Sequence, residues 1–335
     1  MSETSYNARV EREIETFRDL ADFNALPPVF HRVSHAVNFP RFRHVFGVES
    51  VADFYAQAVM EAAPDGDARI ISVGCGDGSI EFDVGRSLFA KGYRRFELVC
   101  AEISPPLLER LRQALPDELA GNISTVVCDL NSITIPGKFD CVMANQSLHH
   151  VLELECLFDW ICEHLTDEGI FATSDVIGRN GHMRWPEAEA FLQVLWTLLP
   201  EHQRVNRLLS RVESRFMDND CSTEGFEGVR AQDVLPLILN RLHPKRFFGF
   251  GGGIIDLLID RAYGHNFDVQ SPTDMAFIDA ATKINDYLVD AGLLKPTQMF
   301  AHFTKRDLGE RCYRQRTAAR SVRDLAAPVL WAVTE

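Results

Sequence analysis

At 335 residues the chain is long for one domain and short for two large ones. With 46% hydrophobic and 24% charged residues it can bury a sizeable core, and a formal net charge of −14 sets it against phosphate backbones. No apolar run reaches the ~18 residues of a membrane span and the first residues are too polar for a signal peptide, so a cytoplasmic protein with neither a membrane nor a nucleic-acid partner is expected.

Residues 5–62 read as helices, with apolar positions Val10, Ile14, Phe17 and Leu20 and then Val51, Phe54, Tyr55, Ala58 and Val59 at helical spacing. Pro27-Pro28 and Pro40 interrupt them. From residue 69 short apolar runs alternate with amphipathic ones. Strands are expected at 69–73, 95–101, 123–128, 139–144 and 170–176, and helices at 79–90, 105–115 and 152–165. Ser104 is the expected N-cap of the second of these helices. This alternation predicts an α/β fold with a parallel sheet covered on both faces.

The rhythm breaks after Gly178. Two successive helices are expected at 186–199 and 204–216, followed by a polar stretch at 218–228. A helix at 229–242 and a strand at 245–250 resume the alternation, a second interruption covers 254–294, and 297–304 alternates like a last strand. Residues 305–335, arginine-rich and then apolar, read as a solvated tail. The eight cysteines (75, 100, 128, 141, 156, 162, 221 and 312) form no CxxC pair and no zinc spacing. They read as small buried hydrophobes in a reducing compartment, and no metal is expected.

A strand, a glycine-rich turn and a helix start at Val73-Gly74-Cys75-Gly76-Asp77-Gly78-Ser79 make a site for a polar ligand group. The spacing G-x-G-x-G disfavours the dinucleotide fingerprint, whose third glycine would stand at Ser79. There is no P-loop pattern either. Glu102 closes the second strand, where a carboxylate either binds two ribose hydroxyls or is simply solvated; beside the glycine loop the ribose role is favoured.

The runs ISVGCGDGS, CAEISPPLLERL, VVCDLN, FDCVMANQSLHHV and GIFATSDVIG, in this order over about 69–178, are similar to the class I S-adenosylmethionine-dependent methyltransferases. The resemblance implies a Rossmann-like, doubly wound sheet of seven strands with the last one, 297–304, antiparallel. It implies a helical N-terminal cap (1–68), a cofactor-binding core (69–178), a helical substrate lid (179–228), the rest of the core (229–304) with a second insertion (251–294), and a C-terminal tail (305–335). It further implies S-adenosylmethionine as cofactor and S-adenosylhomocysteine as product. Gly74, Cys75, Gly76 and Gly78 would pass under the methionyl part and Glu102 would bind the ribose. Ile103 would wall the adenine, while Asp129 and Leu130 would contact its polar edge. Asn145 and Gln146 would lie near the sulfonium. The family often has an acidic residue two before the first glycine; here that residue is Ser72, and Asp77 or Glu81 stands near enough to compensate.

The cofactor's methyl group is electrophilic by itself, so a site needs mainly to align an acceptor and exclude water. A hydroxyl acceptor also needs a base, and His149 and His150 after the fourth strand are the candidates, the alternative being that they only pack the loop. His182, Arg184 and Trp185, and more weakly His265 and Asn266, are candidates for the substrate wall. The insertions would then enclose a small acceptor, or else pack as extra core or as the interface of a homodimer. The Asn/Asp-Pro-Pro run of amino-directed nucleic-acid enzymes and a Pro-Cys nucleophile are both missing from the sequence. The sequence therefore points to methylation of a hydroxyl, amine or carboxyl group on a specialised metabolite or modified amino acid. Two alternatives are a cyclisation or elimination that uses the same cofactor, and a non-catalytic cofactor-binding or partner protein.

Overall fold

The computed structural model describes residues 3–18, 26–223 and 225–326. The predicted helical position Leu20 and residues 327–335 of the expected tail lie outside the described residues.

The strands in chain order are β1 (Ala68–Val73), β2 (Phe96–Glu102), β3 (Ile123–Val127), β4 (Phe139–Asn145), β5 (Leu165–Val176), β6 (Val205–Asn206), β7 (Arg211–Val212), β8 (His243–Phe250), β9 (Gln298–Thr304) and β10 (Arg311–Cys312). All but β6 and β7 form one sheet, ordered β10-β8-β9-β5-β4-β1-β2-β3. Strands β1 to β5 pair in parallel, and β9 runs antiparallel to both β5 and β8. The order reverses between β1 and β4, which opens a crevice at the carboxyl ends of the strands. The sheet thus has the expected Rossmann-like plan, but eight strands instead of seven. The extra one, β10, pairs with β8 through two residues, too few to show any period in the sequence.

Neighbouring residues along a parallel strand serve opposite faces, so both faces must be apolar. Ile70, Leu98 and Met143 face one core, with Phe42, Phe54 and Leu88. Ile71, Val99 and Val142 face the other, with Phe158, Ile161 and Leu235. The first core is built with α3 (Phe39–Phe46), α4 (Val51–Ala62), α5 (Ser79–Ala90) and α6 (Pro105–Ala114), the second with α7 (Leu154–His164) and α9 (Ala231–Leu239). Ahead of them α1 (Glu3–Arg18) reaches the carboxyl ends of the strands through Tyr6 and Asp129, and α2 (Pro28–Val33) packs in a further apolar cluster. Ser104 precedes α6 as expected, but its hydroxyl caps nothing.

A third core lies apart from these two. Val29 of α2 packs there with residues of α8 (Pro186–Leu198), α10 (Ile255–Ile259) and α11 (Pro272–Asp290), including Leu192, Trp196, Leu258 and Ile278. The helix expected at 204–216 is instead the hairpin β6–β7. Its turn forms because the Asn206 side chain accepts a hydrogen bond from Leu209 N (3.0 Å) and Ser210 takes a positive φ of 51°.

The expected solvated tail is pinned over much of its length. Arg316 is 3% exposed and paired with Asp286 and Asp290, Arg314 also meets Asp290, and Arg323 meets Glu187. A short helix, α12 (Ala318–Ser321), follows, and Ala318 is buried in the sheet's second core. Arg314, Arg316 and Arg323 are thus matched by the chain's own carboxylates. No helix among the described residues is long and apolar enough to cross a membrane.

Candidate functional site

A cavity of about 1070 Å³ opens at the crevice between β1 and β4. That exceeds the roughly 300–1000 Å³ usual for one small ligand, so it has room for a cofactor and an acceptor together. Gly74, Cys75, Gly76, Glu102, Ile103, Asp129, Leu130, Asn145 and Gln146 all line it. Gly76 has a φ of 58°, and a Cβ there would meet nothing within 4 Å, so its free face looks into the cavity. Gly78 is different: it does not line the cavity, and a Cβ there would stand 2.6 Å from Leu111. Its role is close packing of α5 on α6.

Glu102 is buried, and its carboxylate accepts hydrogen bonds from Gly76 N and Ser104 N, each 3.0 Å. Burial raises its carboxyl above the usual range, against those backbone bonds. Asp129 accepts from Asn131 N (2.9 Å) and from the Tyr6 hydroxyl of α1 (2.6 Å). Tyr55 of α4 donates to Ala144 O (2.9 Å) and receives Ser174 N (3.2 Å), which ties α4 to the carboxyl ends of β4 and β5.

Histidines and carboxylates also gather in the cavity lining. His149, 4% exposed, donates from Nδ1 to Asp175 Oδ1 (2.6 Å) and turns Nε2 toward Glu227 Oε1 (3.4 Å). His150 is bonded through Nδ1 to Glu13 of α1 (2.7 Å), with Nε2 at 3.5 Å from Glu227 Oε2. His182, brought in by the loop after β5, also meets Glu227 through Nε2. Asp175 is fully buried and is held in place by three backbone donors, Ser147 N, Leu148 N and Val176 N. Burial works against charge on His149, but Asp175 and Glu227 outweigh it and push the imidazole up to about 10. Burial also opposes charge on Glu227, yet hydrogen bonds from His149 and His182 hold it well below the carboxylate range.

Of the residues expected in the substrate wall, His182 and Arg184 line the cavity. Trp185 does not; it lies under the Arg323 guanidinium, 4.7 Å from its ring centre. His265 is exposed, and Asn266 is spent on the hairpin, donating to Val205 O (2.7 Å) and accepting from Arg207 (2.6 Å). The acceptor side is lined instead by aromatics such as Phe39, Phe250 and Phe300, with Arg41 paired to Asp286. Asp175, Glu227, Glu13 and Tyr6 were not singled out by the sequence. An aspartate inside the apolar strand ATSDV was a readable signal for the first; nothing local marks the others.

The sheet order, the glycine loop and the two strand-end carboxylates define a Rossmann-like domain for a nucleoside-bearing cofactor. The class is narrower than that: residues 71–171 match the family model of a methyltransferase domain. A search of curated proteins returns no match. Among solved structures, the chain is similar to an O-methyltransferase from a trans-AT PKS multienzyme of Brevibacillus brevis in complex with S-adenosyl-L-homocysteine, at 13% identity over 89% of this chain and 90% of that one, TM-score 0.46. It is also similar to the 4+2 cyclase SpnF, at 16% identity over 76% and 79%, TM-score 0.43. A third is CalS10, an amino pentose methyltransferase from Micromonospora echinaspora, at 22% identity over 36% and 48%, TM-score 0.29.

Proposed function

We propose that this protein transfers the methyl group of S-adenosylmethionine to a hydroxyl group of a small, largely apolar metabolite. The observation that carries the reading is one cavity with two chemically distinct sets of lining residues. Gly76, Glu102 and Asp129 line it as the cofactor set, and His149 lines it too, its Nδ1 held from behind by the buried Asp175. Gly76, Glu102 and Asp129 would hold the cofactor, which would supply the methyl group to an acceptor oxygen and leave as S-adenosylhomocysteine, while His149 would take the hydroxyl proton. Asp175 holds the ring proton on Nδ1, and an acceptor hydroxyl that takes the place of Glu227 beside Nε2 would donate to that atom. The imidazole must first be neutral, so the transfer rate is expected to climb on the alkaline side of neutrality. The aromatic lining suits an apolar acceptor body, and the lid excludes water.

The test is transfer of label from methyl-labelled cofactor into an extracted metabolite pool. Label in small molecules, with S-adenosylhomocysteine as by-product, supports the reading; label only in protein or RNA, or methylthioadenosine as by-product, overturns it.

A second reading is favoured by the way two imidazoles and a carboxylate converge. His149, His182 and Glu227 offer ligand atoms within 4.8 Å of one another, a spacing that a divalent cation could use to polarise the same hydroxyl. Loss of methyl transfer in a chelator, restored by added Mn²⁺ or Zn²⁺, would select this reading over the free base.

A further inference from the structure

We propose that Glu81, carried on α5, is the carboxylate that receives the primary ammonium group at the methionyl end of the cofactor. The inference rests on the cofactor reading above. Ser72 stands at the end of β1, where the related enzymes often place an acid. Its hydroxyl donates to Glu81 Oε1 at 2.6 Å, and both residues are 1% exposed. Glu81 Oε2 is buried and has no hydrogen-bond partner, yet Glu81 lines the cavity next to the glycine loop.

A buried carboxylate with one oxygen unsatisfied is costly unless a donor arrives. Burial, with Asp77 and Glu102 nearby, pushes its carboxyl up to about 7. An alkyl ammonium brings both the missing donors and the opposite charge. The neighbouring acids are already engaged. Asp77 accepts from Ser79 N (3.1 Å), and Glu102 spans Gly76 N and Ser104 N. The carboxylate has thus moved from the strand to the facing helix, and the serine left behind holds it in place.

Calorimetry with two ligands tests this. S-adenosylhomocysteine carries the amino acid end; methylthioadenosine lacks it and keeps the adenosine. Glu81→Gln preserves shape and removes the charge. It is expected to weaken S-adenosylhomocysteine by about 10- to 100-fold and to leave methylthioadenosine within about twofold. Unchanged S-adenosylhomocysteine affinity overturns the proposal while leaving the cofactor reading intact. Equal losses for both ligands also overturn it, because Glu81 would then only shape the loop. If the unaltered protein binds neither ligand, the cofactor reading falls and this proposal with it.

Discussion

Replacing Asp175 by asparagine keeps its shape and removes the charge 2.6 Å from His149 Nδ1. In the native protein the imidazole is raised from its ordinary 6.5 to about 10. That difference corresponds to about 5 kcal/mol favouring the protonated form. In the variant, the amide oxygen is claimed by Ser147 N and Leu148 N, the two donors now on Asp175 Oδ2. The amide nitrogen then faces His149 and donates to Nδ1, which moves the ring proton to Nε2, the atom that must accept from the acceptor. Burial persists with only Glu227 opposing it, so His149 is expected to titrate near or below 6.5. The sign for stability follows. A raised histidine adds stability in full below about 6.5 and loses it as pH climbs to about 10. The native protein should therefore weaken across that window, and Asp175→Asn should not. Long-range proton–nitrogen NMR reads both the tautomer and the titration of His149. A variant whose His149 still titrates near 10, or a native His149 near 6.5, would refute the reasoning.

Gly76→Val is expected to abolish S-adenosylhomocysteine binding while the protein stays folded, since Gly76 lines the cavity and its added Cβ has no protein atom within 4 Å. Its positive φ adds strain of about 1–3 kcal/mol, and calorimetry with thermal melting separates the two effects. Glu102→Ala should weaken cofactor binding by roughly 1–3 kcal/mol, and an unchanged affinity would remove the ribose assignment. Arg316→Ala removes the buried cation that Asp286 and Asp290 share, although each keeps a second arginine, Arg41 and Arg314. A loss of about 1–3 kcal/mol in denaturant unfolding, with new protease cleavage within 305–323, is the expected result.

The sheet was legible because a parallel strand buried on both faces must be continuously apolar, and runs such as ARIISV have few other uses. That Gly74, Glu102, Asp129 and Asn145 share one cavity lining was legible because each falls at or just after the end of a parallel strand. The hairpin at 205–212 was misread for a physical reason. Val205, Leu208, Leu209 and Val212 copy the spacing of a helix face, yet Leu208, Leu209 and Val212 are exposed. The polar Asn206 and Glu213 are the buried ones, because the Tyr263 hydroxyl satisfies both. The imidazole cluster was half visible. His149 and His150 announce themselves, but Glu13 and Glu227 reach them from 137 residues upstream and tens of residues downstream, a proximity no local pattern encodes.

The third apolar core has a consequence for how such a chain can diversify. Mutations among Leu192, Trp196, Leu258 and Ile278 draw on a different set of contacts from those that hold β1 and β4 together. Effects at distant sites with no shared partners are close to additive. The side chains of this core can therefore be exchanged, residue by residue, on a chassis whose crevice between β1 and β4 keeps its shape.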